Sequence, residues 1–244
     1  MREWAGKRYW VVGASEGLGR ALATKMSRAG AHLVVSARDE GRLAELAEEL
    51  PGQTTIAPCD VSDDDSVKEA AGLAGEVDGV VYLASVYWPQ SAREWNAGQV
   101  TAMCDINFTG CARVLGHAVP GMVARDSGHV VITGSLTAFR GLPGSIGYTA
   151  SKAALLSLAE CMHYDLRKTG VDVQVIHPGF IRTRQTEKND FSMPFIMDPE
   201  PAAGIMFDFM QTDRFKKSFP ALFSYVFRGS QFLPDWAYYR MFGG

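Results

Sequence analysis

From Arg8 to His177 the chain alternates short apolar runs with helix-length amphipathic segments, and no other feature narrows its possible folds so far. Strands are predicted at Arg8–Val12, His32–Ser36, Thr54–Ala57, Gly79–Leu83, His129–Thr133 and Val171–His177. Helices are predicted between them, over Leu18–Ala29 and Gly41–Leu50, from a start at Ser62–Ser66, along a stretch ending at Val114, and over Tyr148–Lys168. Strict alternation of strand and helix builds βαβ units, hence a parallel sheet with helices on both faces. Right-handed crossovers make such a sheet doubly wound, with ligands bound beyond the carboxyl ends of its strands.

A chain of 244 residues that is 47% hydrophobic can bury a large core and is not disordered. No linker, repeat or low-complexity tract divides it, so residues 1–244 read as one domain. Past about residue 186 the alternation stops, and aromatics and half of the ten methionines crowd between Phe191 and Gly244. Residues 186–244 are therefore expected as a helical and loop appendage outside the sheet, a substrate lid or a subunit contact.

Charge excludes several partners. With 24 basic and 27 acidic residues the net charge is −3, which gives nothing to neutralise a phosphate backbone, so nucleic acid is not expected. Charged residues interrupt every apolar stretch before it reaches a membrane-spanning length. Membrane contact is not expected either, although Arg214, Lys216, Lys217 and Arg228 lie near aromatics. The N-terminal residues lead into no signal-peptide core, and Cys59, Cys104, Cys111 and Cys161 show no paired spacing. The expectation is a reduced, cytoplasmic protein. His32, His117, His129 and His163 have no ligand spacing, so no metal site is predicted, and His177 reads as a packed strand-end residue.

The turn after the first strand is Gly13-Ala14-Ser15-Glu16-Gly17-Leu18-Gly19. Glycines let backbone approach a pyrophosphate closely, and a helix N-terminus presents free N–H groups to it. The second strand ends at Ala37-Arg38, which removes the acidic group that would accept from a ribose 2′-hydroxyl and supplies a cation suited to a 2′-phosphate. With Ser15 as a further donor, this favours NADP(H) over NAD(H).

Ser135 closes the strand at residues 129–134, and Tyr148 and Lys152 stand four apart on one helix face. At this point residues 8–183 resemble the compact branch of the short-chain dehydrogenase/reductase family. The landmarks come in order: the Gly13/Gly17/Gly19 turn, Asp60-Val61, Asn107, Ser135, Tyr148-x-x-x-Lys152 and Pro178-Gly179. The resemblance implies a Rossmann-type fold and hydride transfer between nicotinamide and a carbonyl or secondary alcohol. It makes Tyr148 the acid, Lys152 the ammonium that draws the phenol towards working pH, Ser135 the donor to the carbonyl oxygen and Asn107 the support of a water relay. It implies cofactor contacts from Gly13, Ser15, Glu16, Gly17, Leu18 and Gly19, from Arg38, Asp60, Val61 and Ala84, from Tyr148 and Lys152, and from Pro178, Gly179, Ile181 and Thr183. An Asp at position 60 also fits a helix cap.

The chain departs from the family pattern at Val12, usually Thr, and at Tyr82-Leu83-Ala84-Ser85, where the family has Asn-Asn-Ala-Gly. Tyr82 and Leu83 predict that packing replaces the usual polar strand tie. The departure also supports a second reading, a catalytically silent nucleotide-binding sensor or scaffold of the same fold. Met193–Met197 and Met206–Met210 suit an adaptable apolar pocket, so a bulky apolar substrate is expected. The resemblance further implies a homodimer or homotetramer joined through Gln99–Val123 and Tyr148–Lys168, with Leu155, Leu156, Leu158, Cys161 and Met162 offering an apolar surface.

Overall fold

The strands are covered on both sides, and their side chains sort by the two-residue period of an extended chain. On β1 (Arg8–Val12), Trp10 and Val12 enter one hydrophobic layer while Tyr9 and Val11 enter the other. The computed structural model describes residues 2–188 and 193–242. Its sheet continues through β2 (His32–Ser36), β3 (Thr54–Ile56), β4 (Gly79–Tyr82), β5 (Gly128–Thr133), β6 (Val171–Pro178) and β7 (Lys216–Phe219). The order is β3-β2-β1-β4-β5-β6-β7, and every neighbouring pair is parallel. Helices α1 (Gly17–Arg28), α2 (Glu40–Glu49) and α7 (Pro199–Met210) cover one face. The other is covered by α3 (Asp64–Ala74), α5 (Gly110–Ala124) and α6 (Ile146–Leu166), with α4 (Ala97–Cys104) against α6. Strand order reverses between β1 and β4, and a crevice opens beyond their carboxyl ends.

Local chemistry explains most of the boundaries. The Asp39 carboxylate accepts from Arg42 N–H to start α2, and that of Asp63 accepts from Ser66 N–H to start α3. Asp60 is not the cap: its Oδ1 accepts from the amide and hydroxyl of Ser62 at 3.0 and 2.6 Å. The stretch expected to end at Val114 runs on to Ala124, and a π-helical turn at Asp105–Thr109 separates α4 from α5. That turn receives Tyr82, whose buried hydroxyl donates to the Ile106 carbonyl at 2.5 Å. Tyr82 thus keeps a polar tie, directed to the helical layer instead of to a neighbouring strand, which corrects the expectation of packing alone.

The segment past residue 186 is not wholly an appendage. Helix α7 crosses back and β7 adds a seventh parallel strand, pairing Val175 with Lys216 through Pro178 with Phe219. With the sequence Lys-Lys-Ser-Phe this strand carries little apolar signal, and its lysines suit a sheet edge that must not pair further. The run 206–210 is also reassigned. Met206, Phe209 and Met210 are buried on the α1 side of the sheet, and Phe207 packs on Trp4 at 4.9 Å. Of the other expectations there, Phe191 and Gly244 lie outside the described residues, and Leu155 is wholly buried and so withdrawn from any subunit surface. What remains outside the sheet is a pair of helices, α8 (Ala221–Ser230) and α9 (Asp235–Phe242). Tyr238 donates to Gly141 O at 2.7 Å, and Arg140 bonds Leu233 O at 2.7 Å and Asp235 at 2.5 Å, fastening the pair down. Among the described residues no helix is long and apolar enough to cross a membrane, and no acidic, His or Cys group could hold a metal ion.

At the amino end of the sheet a buried chain of hydrogen bonds fixes one histidine as neutral. Gln174 Nε2 donates to the carbonyls of Thr212 and Arg214 at 2.8 and 2.9 Å, so its Oε1 accepts from His129 Nε2–H at 3.0 Å. His129 Nδ1 then accepts from the Tyr9 hydroxyl at 3.0 Å. Burial, helped by the charge of Arg2, pushes His129 down to about 3. Below about pH 6.5 the unfolded chain therefore takes up a proton that the folded chain refuses, at a cost of up to roughly 1.4 kcal/mol per pH unit. Urea denaturation between pH 6.5 and 5 is predicted to show stability falling with pH, and falling less steeply in His129→Leu. Equal slopes in the two proteins would contradict the assignment.

Candidate active site

A cleft of about 820 Å³ opens over the carboxyl ends of β1, β4, β5 and β6. The Gly13–Gly19 turn forms its floor. Gly13 has φ +92°, and a Cβ there would come within 2.5 Å of Ala84 N and 2.8 Å of the Leu83 carbonyl carbon. A Cβ on Gly19 would lie 2.0 Å from the Gly13 oxygen. Only hydrogen fits at either position, so the turn folds tightly against β4 and α1 begins directly at the cleft. The amides of Gly13 and Ala14 both donate to Ser36 O, at 2.7 and 3.1 Å, and so lock the turn to β2. Gly17 packs closely on Thr183, bringing the loop after β6 to the same floor.

The cleft wall gathers nearly all of the residues singled out in the sequence. Gly13, Ser15, Glu16, Gly17, Leu18, Gly19, Arg38, Asp60, Val61, Ala84, Ser135, Tyr148, Lys152, Pro178, Gly179, Ile181 and Thr183 all line it. Asn107 does not. It is buried behind the wall, where its Oδ1 accepts from Val86 N–H at 2.8 Å and its Nδ2 donates to Val86 O and Ser151 Oγ, both at 3.0 Å. The π turn directs this amide inward, and it clamps the segment after β4 onto α6.

Ser135, Tyr148 and Lys152 come from two elements that meet at one end of the cleft. Ser135 Oγ accepts from the amide and hydroxyl of Thr137 at 3.2 and 3.1 Å, leaving its own proton to donate elsewhere, and its influence lowers the Tyr148 phenol. Its carbonyl is held by His177 Nδ1 at 3.0 Å. A carbonyl only accepts, so His177 carries its proton on Nδ1, and burial pushes the ring down to about 3. His177 is thus the packed strand-end residue expected of it. Lys152 is buried, donates to Thr133 O at 3.1 Å and sits 5.5 Å from the centre of the Tyr148 ring. Loss of hydration draws it down to about 8, against a raising influence from Cys111.

Tyr148 moves opposite to the expectation. Desolvation pushes its phenol up to about 12; Ser135 lowers it and Tyr87 raises it, and Lys152 is not among the influences on it. The Lys152 ammonium bonds a backbone carbonyl instead of the phenol oxygen, which accounts for the difference. A phenol in this state remains a proton donor throughout the physiological range.

Other residues of the wall carried no sequence signal. Tyr87 stands edge-on to Tyr148 with ring centres 5.0 Å apart. Arg42 and Arg184 both bind Glu16, at 3.0 and 2.5 Å, at the same end as Arg38. Burial raises the Asp60 carboxyl, but the Ser62 hydrogen bonds and the charge of Arg38 outweigh it and hold the group below its usual range. Leu136, Leu142, Phe180, Phe223 and Phe227 are among the apolar residues of the wall. Neither Met193–Met197 nor Met206–Met210 reaches it, so the expected methionine-lined pocket is replaced by an aromatic one.

The cleft suits a dinucleotide. Its turn admits backbone-close phosphate, and two buried hydroxyls on its wall, Ser85 Oγ and Thr133 Oγ1, have no hydrogen-bond partner. Gly13→Ala is predicted to lose nucleotide binding, because strain at positive φ and the clash with Ala84 force the turn off β4, at a cost on the order of 1–3 kcal/mol. Thermal melts and NADPH titration of the variant check this; unchanged binding would contradict it.

A family model described as short chain dehydrogenase matches residues 7–192. An uncharacterized oxidoreductase of Myxococcus xanthus is 36% identical over 242 residues, covering 96% of each chain. The crystal structure of a short-chain dehydrogenase/reductase from Burkholderia phymatum in complex with NAD matches with a TM-score of 0.85 at 25% identity, covering 93% of each chain. A metagenomic short-chain oxidoreductase in complex with NADP matches with a TM-score of 0.76 at 26% identity, over 89% of this chain and 96% of that one.

Proposed function

This chain belongs to the short-chain dehydrogenase family, and from that premise we propose that it is an NADP(H)-dependent oxidoreductase acting on a bulky apolar carbonyl or secondary alcohol. The observation that carries this reading is the meeting of Ser135, Tyr148 and Lys152 on one wall of a cleft whose floor is the Gly13–Gly19 turn. In the proposal the N-terminus of α1 holds the pyrophosphate. Asp60 and Val61 flank the adenine, and Ala84, Tyr148 and Lys152 face the nicotinamide ribose. Pro178, Gly179, Ile181 and Thr183 hold the carboxamide end. When bound, the nicotinamide supplies or accepts the hydride.

The chain's own residues handle the proton. Tyr148, neutral at working pH, donates its phenolic proton to the carbonyl oxygen as negative charge grows there. Ser135 gives that oxygen a hydrogen bond, and Lys152, held by Thr133 O, faces the cofactor ribose. Phe180, Phe223 and Phe227 then favour an aromatic or long-chain ketone over a short polar one. Residues 1–244 act as one unit in which 186–244 completes the substrate side. The assembly is a homodimer or homotetramer joined through α5 and α6.

NADP preference rests on Arg38, which is exposed, lines the cleft and forms no ion pair among the described residues, with Arg42 beside it. Fluorescence titration is predicted to show tighter binding of NADPH than NADH. Arg38→Ala should lose on the order of tenfold or more for NADPH, as a charged hydrogen-bonding partner of a phosphate contributes ~1.5–3 kcal/mol, and little for NADH. Aromatic ketones should then be reduced faster than short polar ones. Equal affinities unaffected by Arg38→Ala would overturn the cofactor reading, and nucleotide binding without turnover across a broad ketone panel would favour a sensor.

A further inference from the structure

The outward faces of α8 and α9 form an aromatic surface that no part of the described chain covers. Phe232 is 89% exposed, Trp236 74% and Leu222 68%, and Tyr225, Tyr239 and Met241 lie exposed around them. Scattered apolar side chains are ordinary on a protein surface, but this many on two short neighbouring helices are not. Helix α8 is two-sided. Phe223 and Phe227 reach the cleft wall, while Leu222, Tyr225 and Val226 face outward. The rings connect cleft to surface, from Phe223 to Phe227 at 5.0 Å, Phe227 to Phe242 at 5.8 Å, Phe242 to Tyr238 at 4.8 Å and Tyr238 to Tyr239 at 5.2 Å.

The charge of this surface is opposite to that of the molecule. From Ala221 to Phe242 the cations are Arg228 and Arg240 and the sole acid is Asp235, in a chain whose net charge is −3. Asp235 is neutralised by Arg140 at 2.5 Å, and neither Arg228 nor Arg240 forms an ion pair among the described residues. A two-fold contact with a second copy would bring these arginines towards their own counterparts, whereas an anionic surface complements them.

We infer that the α8–α9 face docks on an anionic lipid bilayer. Leu222, Phe232 and Trp236 enter the boundary between headgroups and acyl chains, tyrosines sit at headgroup level, and Arg228 and Arg240 meet lipid phosphates. This departs from the expectation of no membrane contact; Arg228 near aromatics already stood out in the sequence, and the fold adds which side chains share one exposed face. Delivery of a lipid-dissolved carbonyl from this face into the cleft rests on the function proposed above; the docking itself does not.

The full-length protein is sedimented with vesicles of phosphatidylcholine alone and of phosphatidylcholine mixed equally with phosphatidylglycerol, without substrate. The expected result is binding to the mixed vesicles on the order of tenfold or more above neutral ones, since each basic residue near such a surface contributes ~1 kcal/mol. Phe232→Ser combined with Trp236→Ser should abolish binding, and Arg228→Glu combined with Arg240→Glu should remove the anionic preference. Far-UV circular dichroism and nucleotide titration establish that each variant is folded, independently of any turnover. Wild-type protein that binds neither vesicle, or serine variants that bind as well as wild type, would overturn the inference. So would light scattering that shows the serine variants dissociating an oligomer, which would make this face a subunit contact.

Discussion

The close approach of Gly13 to the backbone at Leu83 and Ala84 sets the geometry on which the rest of the cleft depends. It places the start of α1 directly beside the end of β4, where strand order reverses. A turn lifted by one methyl group would separate the N-terminus of α1 from Ala84 and leave Thr183 without its seat on Gly17. The start of α1, the end of β4 and the loop after β6 therefore converge because three glycines permit close contacts that a side chain would disturb.

The end of the cleft that carries Ser135, Tyr148 and Lys152 is braced by a separate set of bonds behind the wall. Tyr82 fastens β4 to the π turn, and that turn aims Asn107 at both Val86 and Ser151. Ser151 stands between Tyr148 and Lys152 in sequence and returns its own hydroxyl to Tyr148 O at 2.8 Å. His177 fixes the Ser135 carbonyl. The backbone that carries Ser135, Tyr148 and Lys152 is thus braced from behind the wall, while Thr137 and Thr133 on the wall hold the Ser135 and Lys152 side chains, the arrangement a reacting group needs if its position is to be set before a substrate arrives.

Much of this was legible in the sequence, for identifiable reasons. The central strands are buried on both faces and therefore read as uninterrupted apolar runs, and the glycine turn and the four-residue spacing of Tyr148 and Lys152 are local patterns. What was hidden depends on distant partners. Three of the four residues of β7 are polar because they lie at an edge. Met206 and Phe209 looked like pocket residues, since composition cannot separate a pocket from a core. Arg42, Arg184 and Tyr87 reach the site from positions that carry no motif. The phenol state of Tyr148 is not legible in sequence because it turns on where the Lys152 ammonium points, and that is set by Thr133 O in another element.

The proposed reaction turns on Tyr148 as the proton donor of the cleft. Stopped-flow single turnover of an aromatic ketone with pre-bound NADPH, comparing wild type with Tyr148→Phe, tests it most directly. NADPH affinity is expected to stay within about twofold of wild type and hydride transfer to slow by roughly 10²–10⁴, the usual contribution of a positioned general acid. Hydride transfer at the wild-type rate in Tyr148→Phe would contradict it.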